Sequence, residues 1–142
     1  MDPKILIPVD DSPTARATIE YVVGQRKRFP RSLNLLYVIN QQQLAYRMIP
    51  DFQLEMVKEN SFKAGEKLLE KYHLQLQEAG FSCDLQLEVG EPREIISHIA
   101  NSQDFDLLVI GRHEGGGEIR DVLFGSVANY VLHNVRCPVL LF

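Results

Sequence analysis

Residues 107–127, LLVIGRHEGGGEIRDVLFGSV, constrain the fold more than any other stretch of this 142-residue chain. The unbroken apolar tetrad Leu107–Ile110 reads as a strand buried on both faces, as the strands of parallel sheets are. It breaks at Gly111 into a loop that also holds Gly115, Gly116, Gly117 and Gly125, so most of the chain's glycine is spent at one place. A helical apolar pattern then starts after Gly125 and Ser126, with Val127, Tyr130, Val131 and Asn134 in step. Glycine lets backbone approach a ligand closely, and a helix start offers unpaired N–H groups and the positive end of the dipole. Strand, glycine loop and Ser at a helix start therefore predict an anion site, with a plain surface loop as the alternative. No Gly-Lys-Ser/Thr closes the loop, so it is not a P-loop. Its spacing and its place late in the chain do not fit a dinucleotide fingerprint either.

The rest of the chain repeats the same grammar. Residues 5–9 (ILIPV) form a short apolar run, and Pro8 sits near its end, where a missing N–H does least harm to the ladder. Asp10, Asp11, Ser12 and Pro13 follow, with Ser12 placed to cap a helix and Pro13 at its first position. That helix carries Ala15, Ile19, Val22 and Val23 on one face. Residues 33–39 (LNLLYVI) give a second strand, followed by a Gln-rich loop over residues 40–50. A helix over about residues 51–79 presents Ala64, Leu68, Tyr72 and Leu76 at i+4 steps, with Leu69 beside them. Gly80 stops it, and Gly65 weakens its interior. Residues 85–89 alternate strictly and predict an edge strand with Gln86 and Glu88 toward water. A helix after Pro92 turns Ile95, Ile96, Ile99 and Ala100 inward. The chain closes on the apolar strand Val139, Leu140, Leu141 and Phe142. Strands alternating with helices in one chain predict a doubly wound parallel sheet of five strands with helices on both faces, one domain over residues 1–142.

Ligands of such sheets bind at the carboxyl ends of the strands, which singles out Asp10. Its carboxylate is suited to accept hydrogen bonds from ribose hydroxyls or an adenine amino group; the alternative is a second helix cap. A net charge of −4 argues against a broad nucleic-acid-binding face. The basic cluster Arg26, Lys27, Arg28 and Arg31 reads as cations gathered at the end of the first helix. Cys83 and Cys137 form no Cys-x-x-Cys and read as buried free thiols. The four histidines lie far apart with no ligand spacing, so no metal site is expected. No apolar run of 18 or more residues and no signal-peptide pattern is present, and a cytoplasmic protein is expected.

With these elements in place, the whole chain resembles the universal stress protein family. The resemblance rests on Pro8-Val9-Asp10 with Ser12, on Tyr37-Val38-Ile39, on Gly90-x-Pro92, on the Gly111-x3-Gly115-x9-Gly125-Ser126 loop and on Cys137-Pro138-Val139. It implies a sheet of order 3-2-1-4-5, ATP (or AMP or ADP) as ligand, and Mg beside the phosphates. It also implies that Pro8, Val9 and Asp10 reach the nucleoside, Asp10 through ribose and adenine and Val38 through its backbone. Gly111, Gly115, Gly125 and Ser126 would cradle phosphates, flanked by Ile110 and Val127. The family loop has two residues, not three, between its first glycines; here Glu114 is an insertion that brings a negative charge to the loop. A homodimer through the last strand is implied as well. Three functions compete: a nucleotide-biased stress-response module, a slow ATP hydrolase using Ser126 and Mg, and an interaction dimer that has lost the nucleotide.

Overall fold

The computed structural model of the chain describes residues 2–41, 51–111 and 125–141, with backbone alone at residues 51, 52, 125 and 126. In chain order the elements are β1 (Ile5–Pro8), α1 (Pro13–Gly24), a 3-10 turn (Arg26–Arg28), β2 (Ser32–Asn40), α2 (Asp51–Glu78), β3 (Ser82–Gly90), α3 (Pro92–Ser102), β4 (Leu107–Ile110), α4 (Gly125–Asn134) and β5 (Val139–Leu141). All strand pairs are parallel and the order is β3-β2-β1-β4-β5, the doubly wound arrangement expected.

Alternation along the central strand separates two cores. Ile5 and Ile7 of β1, and Val9 just after it, face α1 and α2, where Ile19, Val22, Leu69, Tyr72 and Leu76 meet them. Leu6 faces the other way, onto Ile96, Ile99 and Ala100 of α3 and Ala128 and Val131 of α4. Ser12 caps α1 as expected: its Oγ accepts from the Ala15 N–H at 3.1 Å, and Pro13 follows at the first helical position. Gly80, at φ +98°, ends α2 in a conformation few side chains tolerate. The Phe81 N–H then donates to Leu76 O and the Gly80 N–H to Gln77 O, each at 3.0 Å. That pair of bonds is a Schellman cap, and Phe81 packs into the same core as Leu76.

Three sequence expectations are corrected and one is extended. On α2 the inward residue is Gly65, not Ala64, which is exposed. A Cβ at Gly65 would stand 2.8 Å from Leu87 Cδ1 and 3.0 Å from the Tyr37 ring, so this helical glycine lets α2 lie close against β2 and β3. On α1, Val23 packs against the core as expected but only half-buried, and Thr18, 2% exposed, is a further buried residue, with Oγ1 donating to Thr14 O at 2.8 Å. Over residues 85–89 of β3 the exposed residues are Leu85 and Val89, while Gln86 and Glu88 are half-buried and bonded to each other at 3.0 Å. β3 is an edge strand, and α2 covers its apolar side at Cys83 and Leu87 but not at Leu85 and Val89. Cys83 and Cys137 are free and half-buried rather than buried.

Two predictions arise from this packing. Gly65→Val, which adds a branched side chain where a single carbon already collides, is expected to cost about 1–3 kcal/mol. A urea titration would show it as a lower midpoint at unchanged slope; an unchanged midpoint would mean that the close approach is not needed. The second concerns Cys83. Burial, with the neighbouring Asp84 charge second, pushes its thiol from 9.0 up to about 11. A folded-state value above the unfolded one gives stability that is fully present below pH 9 and is lost as pH rises from 9 toward 11. At pH 8 the thiolate is roughly a hundredfold scarcer than in an unperturbed thiol, and higher nucleophilicity offsets part of that. Alkylation of Cys83 should therefore run about tenfold slower in the native protein than in urea, as timed mass spectrometry would read; equal rates would refute it.

Candidate nucleotide site at the strand ends

The crevice opens where the winding reverses, between β1 and β4. Along β1 the odd-numbered groups face β2: the Val9 N–H donates to Leu36 O at 2.8 Å. The even-numbered groups face β4, as the Lys4 carbonyl does in accepting from the Asp106 N–H at 2.8 Å. Pro8 is thus a missing donor on the β4 side. The β1–β2 pairing continues to Pro8↔Leu36, whereas the β1–β4 pairing stops at Leu6↔Leu108. A proline in a central strand, normally disfavoured, here ends the ladder on the side where the strands part.

Several of the expected residues follow the carboxyl ends of β1, β2 and β4. Asp10 follows two residues after the last β1–β2 pair, Pro8↔Leu36, and Val38 stands two residues further along β2; Ile110 and Gly111 follow the last β1–β4 pair, Leu6↔Leu108, at the carboxyl end of β4. Val9 and Ile110 are both buried, at 5% and 7% exposure, Val9 in the core under α1 and α2 and Ile110 in the core under α3 and α4. Val38 packs its side chain into the α3/α4 core, which leaves its backbone groups as what it offers at the strand edge. Because α4 leads from β4 back to β5, its start at Gly125 lies at this same edge. Gly115 lies outside the described residues, as do Glu114 and the side chain of Ser126. Val127 is 37% exposed and Ala128 is the buried residue beside it, so Val127 is not part of the α4 core face.

Asp10 is exposed, and the capping reading does not hold for it, because Ser12 makes the cap bond. Among the described residues no hydrogen bond or ion pair holds its carboxylate, whereas Asp11 pairs with Arg16 at 3.2 Å. The backbone of Asp10 is held instead: Tyr72 Oη, on a side chain 1% exposed, donates to the Asp10 carbonyl at 3.2 Å. Sequence periodicity placed Tyr72 in the core and missed this; a tyrosine at an otherwise aliphatic helix position was the available signal. Burial raises the phenol pKa of Tyr37 and of Tyr72, and the charges of Asp10 and Asp11 add to it, opposed at Tyr72 by Arg16. Both phenols stay protonated at neutral pH, and Tyr72 stays a donor.

Gly111 has a packing cause that the loop pattern did not reveal. A Cβ there would come within 2.6 Å of Thr18 Oγ1 and 2.9 Å of Thr14 Cγ2, so the chain leaving β4 runs against the first turns of α1. Among the described residues no group of three His, Cys, Asp or Glu side chains is placed to hold a metal ion. Likewise none of the described helices is long and apolar enough to cross a membrane.

An open crevice at the switch point of a doubly wound parallel sheet, with an acid on one lip and a helix start on the other, defines the class of α/β proteins that take ligands at their strand ends. The model of the "Universal stress protein family" matches residues 1–142, and the chain belongs to that family. It is 30% identical to the universal stress protein Sll1388 of Synechocystis sp., over 97% of this chain and 96% of that one. It is 27% identical to the universal stress protein MJ0577 of Methanocaldococcus jannaschii. The solved structure of MJ0577 superposes with a TM-score of 0.82 over 99% of this chain and 95% of its own. A family member from Arabidopsis thaliana, solved with AMP bound, has the same fold at 18% identity, with a TM-score of 0.69 over 99% of this chain and 91% of its own.

Proposed function

We propose that the chain is an adenine-nucleotide-binding stress-response module of the cytoplasm, with ATP as its ligand and AMP or ADP as weaker occupants of the same crevice. The observation that carries this reading is the Asp10 carboxylate. It is exposed at the switch point, relieved of capping by Ser12, and has no protein partner among the described residues. A carboxylate so placed can accept from ribose hydroxyls, and Val38, its side chain buried, offers backbone groups to a base. Phosphates would extend past Gly111 toward Gly125 and Ser126, where the helix start favours negative charge. Magnesium, when bound, would offset charge among those phosphates. The AMP held by the Arabidopsis relative agrees with an adenine ligand.

The test begins with denaturation of the purified protein and mass spectrometry of what it releases, followed by calorimetric titration with ATP and with AMP. Adenine nucleotide released in near-stoichiometric yield, or saturable binding of added Mg-ATP, is the expected result. Neither, after soaking with Mg-ATP, would mean that the inserted Glu114 accompanies loss of the ligand and that the protein works through contacts alone.

The same reading includes a homodimer. β5 pairs with β4 on one side only, and Val139, Leu140 and Leu141 are all half-buried in the isolated chain. A short apolar edge of this kind joins well to its own copy across a two-fold axis. Sedimentation of the intact protein at micromolar concentration should give a dimer, and deletion of residues 140–142 should remove it; a monomeric intact protein would overturn the assignment.

A further inference from the structure

The opposite edge of the sheet, where β2 and β3 begin, holds a cavity of about 380 Å³ that the nucleotide reading does not use. Its apolar walls include Phe29 and Phe81, the latter 5% exposed, and its rim carries Arg26, Lys27 and Arg31. Two chain turns build it. One is the 3-10 turn after α1, and the other is the Schellman cap of α2 at Gly80. The Ser82 N–H donates to Arg31 O at 2.7 Å and ties the two together.

The charge at this place needs a cause. The chain as a whole carries −4, yet no acidic residue occurs between Glu20 and Asp51, and Arg26, Lys27, Arg28 and Arg31 all fall in that interval. Cations at the end of a helix are often there for its carbonyls. That accounts for Arg26, whose Nη1 donates to Val23 O at 3.3 Å. For the others, among the described residues, neither a side-chain bond to a helix carbonyl nor a carboxylate within ion-pair distance of Lys27, Arg28 or Arg31 is found. Like charges held around one concavity repel unless an anion joins them, and the phenyl walls strengthen any charge pairing made there.

We propose that this cavity is a second, anion-binding site, for a short chain or cluster of phosphate groups. The volume lies at the small end of ligand pockets, which suits a compact anion rather than a peptide or a nucleic-acid strand. Two guanidinium forks fit phosphate oxygens in pairs, and the Lys27 ammonium adds a point charge. The site needs no adenine, so it stands or falls apart from the nucleotide crevice.

The probe is tripolyphosphate, titrated at low salt into nitrogen-15-labelled protein and followed by amide shifts. Saturable shifts are expected at Arg31, Gly80 and Phe81, with a dissociation constant below about 1 mM. Replacing the rim together, Arg26→Gln, Lys27→Gln and Arg31→Gln, should weaken these shifts by at least about tenfold. The three side chains are exposed, so the spectrum of the variant should remain that of a folded protein. Shifts confined to Val9, Asp10 and Gly111, shifts that do not saturate, or shifts unchanged in the folded triple variant would each overturn the proposal.

Discussion

Gly125→Val is expected to abolish calorimetrically detectable ATP binding, a loss of at least about a hundredfold, or close to 3 kcal/mol, while leaving the fold in place. α4 starts at Gly125, and its ten residues place that start at the strand ends. The first turn of a helix has N–H groups without intrahelical partners, and these are what phosphate oxygens would meet. A β-branched side chain at the opening position stands between the phosphates and those groups. The substitution costs the helix little, since valine is no worse a helix former than glycine. AMP, with a single phosphate nearer the nucleoside, should lose less than ATP. Thermal unfolding run beside the titration separates a blocked site from a damaged protein. Unchanged ATP affinity in a folded Gly125→Val protein would remove the glycine loop from the site and favour the plain surface loop.

The strands were legible because buried parallel strands write themselves as apolar runs, and Leu107–Ile110 could be little else, whereas their order came from the family resemblance. The cap at Ser12 and the stop at Gly80 were legible because each rests on local chemistry, a hydroxyl placed before a helix and a residue free to take φ +98°. What sequence could not show was tertiary contact at short range. Gly65 looked like a defect in a helix and is the point where α2 meets Leu87 and Tyr37. Gly111 looked like part of a phosphate loop and packs on Thr14 and Thr18. In both cases glycine signals a missing Cβ, and only the neighbour shows whether the space goes to a ligand or to another element.

The site was legible to a similar depth. Asp10, Val38 and Ile110 were placed at one edge by the family resemblance, and all three stand at or just past the carboxyl ends of neighbouring strands. Tyr72 was not, because a hydrogen bond spanning 62 residues leaves no periodic trace. That bond also fixes where the Asp10 backbone stands, so that the carboxylate is presented by a loop held at both ends: by Tyr72 at the Asp10 carbonyl and by the Ser12 cap at the start of α1. A positioned acceptor loses less entropy on binding than a mobile one, which raises what its removal should cost.

Asp10→Ala is accordingly expected to weaken ATP, ADP and AMP alike, by about ten- to a hundredfold, the worth of a hydrogen bond to a charged group at roughly 1.5–3 kcal/mol. A contact to ribose or adenine does not sense the number of phosphates, so this pattern contrasts with that of Gly125→Val, which should grow with the phosphate chain. Stability should hardly change, because the carboxylate makes no bond within the described protein and Ser12 keeps the cap. Asp10→Asn keeps an acceptor oxygen and should recover part of the affinity. Tyr72→Phe, which removes the donor to the Asp10 carbonyl, should cost about 1 kcal/mol of folding stability and a smaller loss of affinity than Asp10→Ala. Titration of the three nucleotides into each variant, with melting curves alongside, checks all of this. If Asp10→Ala lowers the melting temperature and leaves every affinity intact, Asp10 serves the fold and the ligand lies elsewhere. If it weakens ATP but spares AMP, the carboxylate acts on the phosphate end and its placement against the nucleoside is wrong.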